Sequence, residues 1–383
     1  MKITGIIVEY NPFHYGHLYH LEAARKTTEC DLVIAVMSGN FTQRGDPAIV
    51  DKWERTKEAL KAGVDLVIEL PFGFACQSAD YFASSALEIL NALKVDHLVF
   101  GSESNDVELF KKISQTLLEN KEEYNIIVKD KMKEGYRYPN ACNEALKLIT
   151  QESITLPNDL LGYSYVKAIV ENNYPITPVT IQRTNDYHEM NLNTSFSSAS
   201  SIRKAIIEGK DVQKATPMII EHPVTLNDYF ELLYYQLIMD EHLNEYHLVE
   251  EGIENLLKKH IQTSHNMDEL IEKCTSKRFT SSRIKRTIIS ILLRITKQEH
   301  NALKIDYIRV LGMNQKGQEY LHTIKKNCSY PILTNYKPKT SLLLDLEFKA
   351  SQLYYSIAPL EIREEMMKKE YKNHCLFFTN KID

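Results

Sequence analysis

This chain lacks most of the features that assign a protein to a membrane, an oxidising compartment or a fibrous class. No apolar run among its 383 residues approaches the ~18 needed to cross a bilayer. The short apolar stretch near the N-terminus is interrupted by Glu9 and Asn11, which reads against a secretory signal peptide. Six cysteines (Cys30, Cys76, Cys142, Cys274, Cys328, Cys375) include no CxxC pair, so neither a disulfide framework nor a zinc site is expected, and a cytoplasmic chain with reduced thiols is. There is no internal repeat and no low-complexity tract. Neither sign of charge dominates: 46 Lys and Arg against 51 Asp and Glu leave a net −5, which argues against indiscriminate nucleic-acid binding but permits a local basic patch. What remains is a globular composition, 43% hydrophobic, with length enough for two domains.

The first half alternates apolar runs with amphipathic segments. Strands are expected at residues 3–9, Asp31–Met37, Asp65–Leu70, Asp96–Phe100 and Ile176–Gln182. Helices are expected over Leu18–Lys26, Asp51–Ala62 and Ala79–Leu93, with mostly helical chain from Val107 to Asn173 broken at Pro157-Asn158-Asp159. Buried strands separated by helices imply an α/β fold with a doubly wound, Rossmann-like parallel sheet. Beyond about residue 215 the alternation stops and the chain reads as helix-rich, with one strand at Tyr307–Leu311. The expected division is therefore 1–215, an α/β domain, and 216–383, a mainly helical one.

Ligands of such sheets sit at the carboxyl ends of the strands. The first strand runs directly into Tyr10-Asn11-Pro12-Phe13-His14-Tyr15-Gly16-His17. Asn11-Pro12 is a turn signal, and a helix follows whose first N–H groups lack internal partners and favour negative charge. Gly16 has no Cβ to hold a phosphate away from the backbone. His14 and His17, about one helical turn apart, can both donate to phosphoryl oxygens as charge builds during an in-line displacement. This is a nucleotide-phosphate device and points to adenylyl transfer. Ser198-Ala199-Ser200-Ser201-Ile202-Arg203 forms a second helix start, with hydroxyls and the planar fork of Arg203. Gly101, Asn158 and Arg183 lie at other strand exits or helix starts, as do Ser38-Gly39-Asn40 and Gln43-Arg44, where a small carboxylate could sit. Read alone, Gly101 is equally a turn glycine and Asn158 equally an N-cap. No carboxylate cluster marks a metal cage, so a magnesium ion is expected to ride on ATP phosphates.

From Lys273 to Lys297 the sequence carries eight basic residues and no acidic one. Read as one helix at ~100° per residue, Arg283, Arg286, Arg294 and Lys297 share about a quarter of the circumference, opposite Ile284, Ile288, Ile291, Leu292 and Ile295. With Lys285 they form a candidate phosphate-backbone stripe.

HxGH with a late Ser-Ser-x-x-Arg resembles the HxGH nucleotidyltransferase superfamily. Val8-Glu9-Tyr10-Asn11-Pro12-Phe13-His14, Val36-Met37-Ser38-Gly39-Asn40-Phe41, Gln43-Arg44-Gly45-Asp46-Pro47-Ala48, Val67-Ile68-Glu69-Leu70-Pro71, Phe100-Gly101-Ser102-Glu103 and Ser200-Ser201-Ile202-Arg203 together resemble the bacterial tRNA(Met) cytidine acetate ligase family. The matches cover most of the first ~210 residues, and the later part matches more loosely. The resemblance implies activation of acetate by ATP as acetyl-adenylate, then acetylation of the exocyclic amine of the wobble cytidine of elongator tRNA(Met). It implies an ATP site over Ile7-Val8-Glu9-Tyr10-Asn11-Pro12-Phe13-His14-Tyr15-Gly16-His17-Leu18-Tyr19-His20 together with Gly101, Asn158 and Arg183. In that reading His14 and His17 stabilise the reacting phosphates while Ser201 and Arg203 hold the leaving pyrophosphate. Two departures stand out: Tyr15 replaces the usual Asn, and Ala199-Ser200-Ser201-Ile202 replaces Ile-Ser-Ser-Thr. The catalytic motifs alone would equally permit an adenylyltransferase of a small metabolite. A non-catalytic RNA-binding protein with a vestigial site is the third reading. A class I aminoacyl-tRNA synthetase is disfavoured, because there is no Lys-Met-Ser-Lys-Ser loop.

Overall fold

A computed structural model describes residues 1–183, 198–336, 341–372 and 375–379; the polar loop read from Thr184 lies outside them up to residue 197. Eight strands form one sheet: β1 (Ile3–Val8), β2 (Leu32–Ser38), β3 (Leu66–Leu70), β4 (His97–Ser102), β5 (Thr177–Gln182), β6 (Ile308–Asn314), β7 (Ile332–Leu333) and β8 (Leu376–Phe378). Their order is β5-β4-β1-β2-β3-β6-β7, with β8 also on β6. The first five strands are mutually parallel, as continuous apolar runs with helical crossovers require. β6 joins β3 antiparallel, so the sheet is mostly, not wholly, parallel.

The apolar side chains of the strands alternate between two faces. Ile34, Val36, Leu66 and Ile68 pack with the Ala79–Ala92 and Pro157–Glu171 helices. Ile6, Val33, Ala35 and Val67 pack on the opposite face with Leu21, Trp53 and Leu60. Pro157 occupies the first turn of its helix, where a missing N–H costs nothing.

The chain after residue 216 is not uniformly helical. Residues 226–295 build an apolar core from short helices, including Leu233, Leu257, Leu270 and Ile288, and share it with Phe41 and Phe72 beside the strand ends and with Leu346 and Tyr354. The chain then returns to the sheet through β6, β7 and β8. Arg309 lies inside the otherwise apolar β6 because it pairs with Glu69 on β3 at 3.2 Å and Glu370 at 3.0 Å. Lys52 Nζ reaches Glu69 (2.6 Å), Glu347 (3.0 Å) and Glu370 (3.1 Å), all of them essentially without solvent exposure. Glu347 also accepts the Phe72 N–H at 2.6 Å, just past β3. These ion pairs fasten the Leu342–Ser356 and Leu360–Lys372 helices beneath the strand ends that carry the site.

The basic stretch is divided, which corrects the single-helix reading. One helix runs Ser281–Leu292, Arg294 then adopts a left-handed conformation (φ 49°), and a new helix opens at Lys297. The break follows from Thr296, whose hydroxyl accepts the Glu299 N–H while Glu299 accepts the Thr296 N–H, a capping box that starts a second helix. A constant angular step therefore does not carry from Arg286 to Arg294 and Lys297.

Candidate active site

The turn after β1 is held from several directions. Tyr10 takes a positive φ of 51°, the Asn11–Pro12 bond is cis, and the helix Tyr15–Thr28 begins at once. Tyr10 and Phe13 turn inward and meet edge-on at 4.8 Å, both almost fully buried. Val8 and Phe13 are thus core residues, and Ile7 and Leu18 pack partly against the core, so these members of the expected ATP span shape the turn from behind. Asn11 Oδ1 accepts the Ile49 N–H at 2.8 Å, the Phe13 carbonyl accepts the Thr216 hydroxyl at 2.5 Å, and Tyr15 N–H donates to the Ala215 carbonyl at 3.2 Å. Tyr15 is the first residue of the helix, half-buried against that wall.

His14 is the N-cap. Its Nδ1 accepts the Gly16 N–H at 3.1 Å, and its own N–H donates to His17 Nδ1 at 3.2 Å. The two rings stack with centroids 3.7 Å apart. Both Nδ1 atoms are therefore acceptors, and in the neutral imidazoles the proton sits on Nε2. Burial, followed by the Arg183 and Arg203 charges, pushes His14 down to about 4. Burial and the neighbouring His14, His20 and Arg183 push His17 well below the usual histidine value. His20, one turn on, is also lowered to about 4, first by burial and then by Arg183. At neutral pH the pair thus offers two N–H donors without net charge. A Cβ at Gly16 would lie 2.8 Å from the His14 ring, so the glycine is required by the stacked histidine itself, a reason the sequence does not display.

The later motif reaches the same place. Ser198 caps the helix Ala199–Ile207 by accepting the Ser201 N–H at 3.2 Å. Ser201 Oγ donates to the Ser198 carbonyl at 2.7 Å, so its hydroxyl is engaged in the cap. Arg203 Nη1 donates to the Asn11 carbonyl at 2.7 Å and Nη2 to Ser200 Oγ at 3.1 Å. On the other flank, Gly101 on β4 lies under the Arg183 side chain, where a Cβ would come within 3.2 Å of Arg183 Cγ. Arg183 N–H donates to the Ser102 carbonyl at 2.9 Å. Asn158 is not an N-cap: its side chain donates to Glu103 Oε1, and Glu103 also accepts the backbone N–H groups of Asn158 and Asp159. Glu103, directly after β4, thereby supplies the missing cap. His14, His17, Arg183 and Arg203 are brought together; Tyr19 points outward, 44% exposed.

Sequence reasoning missed Arg55, which the helical pattern disguises as a surface charge. It is fully buried, and its guanidinium donates to the carbonyls of Glu9 (2.6 Å), Ser38 (3.1 Å), Gly39 and Val50 (2.9 Å), tying the ends of β1 and β2 together. The Glu9 carboxylate accepts the Gln43 N–H at 2.7 Å. Gln43 Nε2 donates to the Gln77 carbonyl at 2.7 Å, and Gln77 Nε2 lies 2.7 Å from Nε2 of both His247 and His300, whose rings stack at 3.4 Å. Arg44 is exposed at the rim.

The basic residues are less available than expected. Lys285 pairs with Asp46 at 2.7 Å, and Arg286 Nη1 donates to the Gln43 carbonyl at 3.2 Å. Gly45, at φ 86°, packs so closely that a Cβ would lie 2.5 Å from the Arg286 nitrogen. These two residues therefore clamp the loop after β2 instead of facing outward. Arg283 shares Glu251 with Arg278, Arg294 bonds the Tyr246 hydroxyl at 2.9 Å, and Lys297 bonds the Asn244 carbonyl at 2.8 Å.

Residues 1–370 match the family model described as HIGH Nucleotidyl Transferase. The chain is 42% identical to a tRNA(Met) cytidine acetate ligase of Caldicellulosiruptor saccharolyticus, with all of both chains covered. It is 40% identical to the enzyme of that name from Bacillus subtilis, over 97% of this chain and 96% of the other. Two crystal structures of Thermotoga maritima TmcAL, one apo and one bound with alpha-thio ATP, superpose with TM-scores of 0.88 and 0.87 at 32% identity, covering 99% of this chain and 100% of theirs. A strand–turn–helix presenting His14 and His17, closed by Arg203 and matched along nearly the whole chain, identifies this protein as a member of the HIGH nucleotidyl transferase family.

Proposed function

We propose that this chain is an ATP-dependent tRNA(Met) cytidine acetate ligase. The observation that carries the reading is the His14–His17 capping box with Arg203 bonded to the Asn11 carbonyl, on a chain about 40% identical throughout to proteins of that name. In the first step an acetate oxygen attacks the α-phosphorus of ATP, and the bond to the β-phosphate oxygen breaks to release pyrophosphate. The Nε2–H groups of His14 and His17, with the guanidinium groups of Arg183 and Arg203, stabilise the charge that develops on the phosphates. Neutral histidines suit this role, because they donate without trapping the product as an ion pair. In the second step the acetyl group passes to the exocyclic amine of the wobble cytidine. His14, His17, Arg183 and Arg203 present N–H donors, which fit phosphate oxygens and not a cation. Magnesium would accordingly arrive on the phosphates and supply charge neutralisation there.

Residues 226–297, which carry Arg278, Arg283, Arg294 and Lys297, are the proposed tRNA-facing unit. The membership of 1–215 in catalysis and of the later chain in tRNA binding belongs to this proposal. The described residues hold no helix long and apolar enough to cross a membrane, and a tRNA substrate places the reaction in the cytoplasm.

The test is exchange of labelled pyrophosphate into ATP with acetate, formate, propionate or no acid, followed by transfer of labelled acetate to elongator tRNA(Met). Acetate-dependent exchange with label reaching the tRNA is expected. Exchange supported only by another small acid overturns the acetate assignment, and exchange without transfer overturns the tRNA assignment.

A further inference from the structure

Acyl transfer to an exocyclic amine makes a demand that the phosphate site does not meet. The amine presents N–H groups, so it must be held by an acceptor, and it must lose one proton as the amide forms. His14 and His17 cannot serve: their Nδ1 lone pairs receive backbone N–H groups and their Nε2 atoms carry the protons. Arg183, Arg203 and Arg44 are donors. His20 Nε2 is an acceptor but is closed off from solvent.

The neighbouring carboxylates are committed elsewhere. Asp46 pairs with Lys285, Glu103 caps the Pro157–Glu171 helix, and Asp159 accepts Ser102 Oγ at 2.6 Å. Glu9 differs from all of these. It stands at the carboxyl end of β1, five positions before His14, where the strand exits open onto the site. Its Oε1 accepts the Gln43 N–H, and its other oxygen takes no hydrogen bond among the described residues. It is also rigidly presented. Arg55 holds its carbonyl at 2.6 Å, and Gln43 is fastened through Gln77 to His247 and His300 and through its carbonyl to Arg286.

We propose that the Glu9 carboxylate holds the exocyclic amine of the target cytidine and accepts its proton during acetyl transfer, a role that rests on the acetate-ligase reading. The nitrogen lone pair attacks the acetyl carbonyl carbon and a C–N bond forms. The bond from that carbon to the phosphate oxygen of the adenylate breaks, and AMP leaves with the electron pair. The proton passes from nitrogen to Glu9 and from there to water. The groups facing Glu9 are Arg44 on its own loop side, Arg55, Arg203, the Tyr165 phenol and the Cys76 thiol. Burial raises the carboxyl above the ordinary value, while the Gln43 N–H and the arginines pull it back. The net rise makes Glu9 a stronger base than an exposed glutamate.

The experiment uses the full chain with Glu9→Gln, which keeps the side-chain shape and an oxygen for the Gln43 N–H. Because Glu9 lies within the span read as the ATP site, acetate-dependent pyrophosphate exchange by the same variant is the reference, reporting folding and any loss in the first step, and the loss of transfer must exceed it by at least about tenfold. Single-turnover transfer of labelled acetate to elongator tRNA(Met) should fall by about 10²–10⁴-fold, the usual worth of a positioned base. Wild-type transfer should rise with pH through one ionisation that Glu9→Gln lacks. Transfer within about threefold of wild type overturns the proposal, and so does an equal loss of exchange and transfer, which would make Glu9 a determinant of the nucleotide site. A wild-type enzyme without acetate-dependent exchange overturns the ligase reading itself, and the role of Glu9 with it.

Discussion

Arg203 and Asn11 stand 192 positions apart in the chain, and a 2.7 Å hydrogen bond from the guanidinium of one to the carbonyl of the other closes the histidine turn. The same guanidinium also engages Ser200 Oγ, so it is oriented before any phosphate arrives. Arg203→Ala should lower acetate-dependent pyrophosphate exchange by roughly 10²–10³-fold, the range for one preorganised donor. Arg203→Lys should recover only part of this, because a single ammonium cannot copy the planar fork. Initial-rate exchange assays decide both.

His17→Ala should cost a similar factor of about 10²–10³ in adenylate formation while the fold survives; unchanged pyrophosphate release would remove His17 from the mechanism. His14 and His17 are depressed in the folded state, so folded protein binds fewer protons here than unfolded chain below pH 6.5. The stability they allow is present above that value and is lost as pH falls from about 6.5 towards 4. Melting temperatures across that window should drop more steeply for wild type than for a His14→Gln variant.

Lys52 is the shared cation of three buried carboxylates, Glu69, Glu347 and Glu370. Lys52→Met leaves Arg309 alone to pair with Glu69 and Glu370 and takes the cation from Glu347, and should destabilise by about 3–5 kcal/mol in denaturant titration. Glu347 behaves differently, since burial and then the Glu69 carboxylate push it up to about 7. Its raised value gives stability that is full below the ordinary carboxyl range and is lost as pH rises towards 7. Glu347→Gln should therefore be mild at pH 7, and should flatten the decline in stability between pH 5 and 7.

Arg283 and Arg294 retain exposure outside the loop clamp. Replacing both with Ala should weaken tRNA binding and reduce the slope of log affinity against log salt by about 2, leaving acetate-dependent exchange intact. Arg286→Ala should instead impair the first step as well, because it holds the Gln43 carbonyl. Filter binding across a salt series, with exchange run in parallel, separates the two. An unaltered salt slope for the double variant would reduce these cations to a solvated face.

The five parallel strands, the helix entered at His14 and the break at Pro157 were legible from local rules: continuous apolar runs, turn residues and caps act over a few positions. The histidine pair was legible for the same reason, since His14, Gly16 and His17 make their contacts with one another. Length and spacing do not report pairing across hundreds of residues. Arg55 and Lys52 sit in an amphipathic helix and read as solvent-facing charges, yet carbonyls nearby in space and carboxylates hundreds of positions away draw them inside. Arg286 belongs to a basic run and turns inward because Gly45 and the Gln43 carbonyl meet it there. β6 reads as a strand, but only its antiparallel pairing with β3 reveals that the later chain rejoins the sheet. The sequence by itself determined the elements and the phosphate-binding turn, whose stabilising contacts are local. Tertiary structure alone decided which charges are buried, which loops they clamp and where Glu9 stands, because burying an ion depends on a partner that only the folded chain brings within reach.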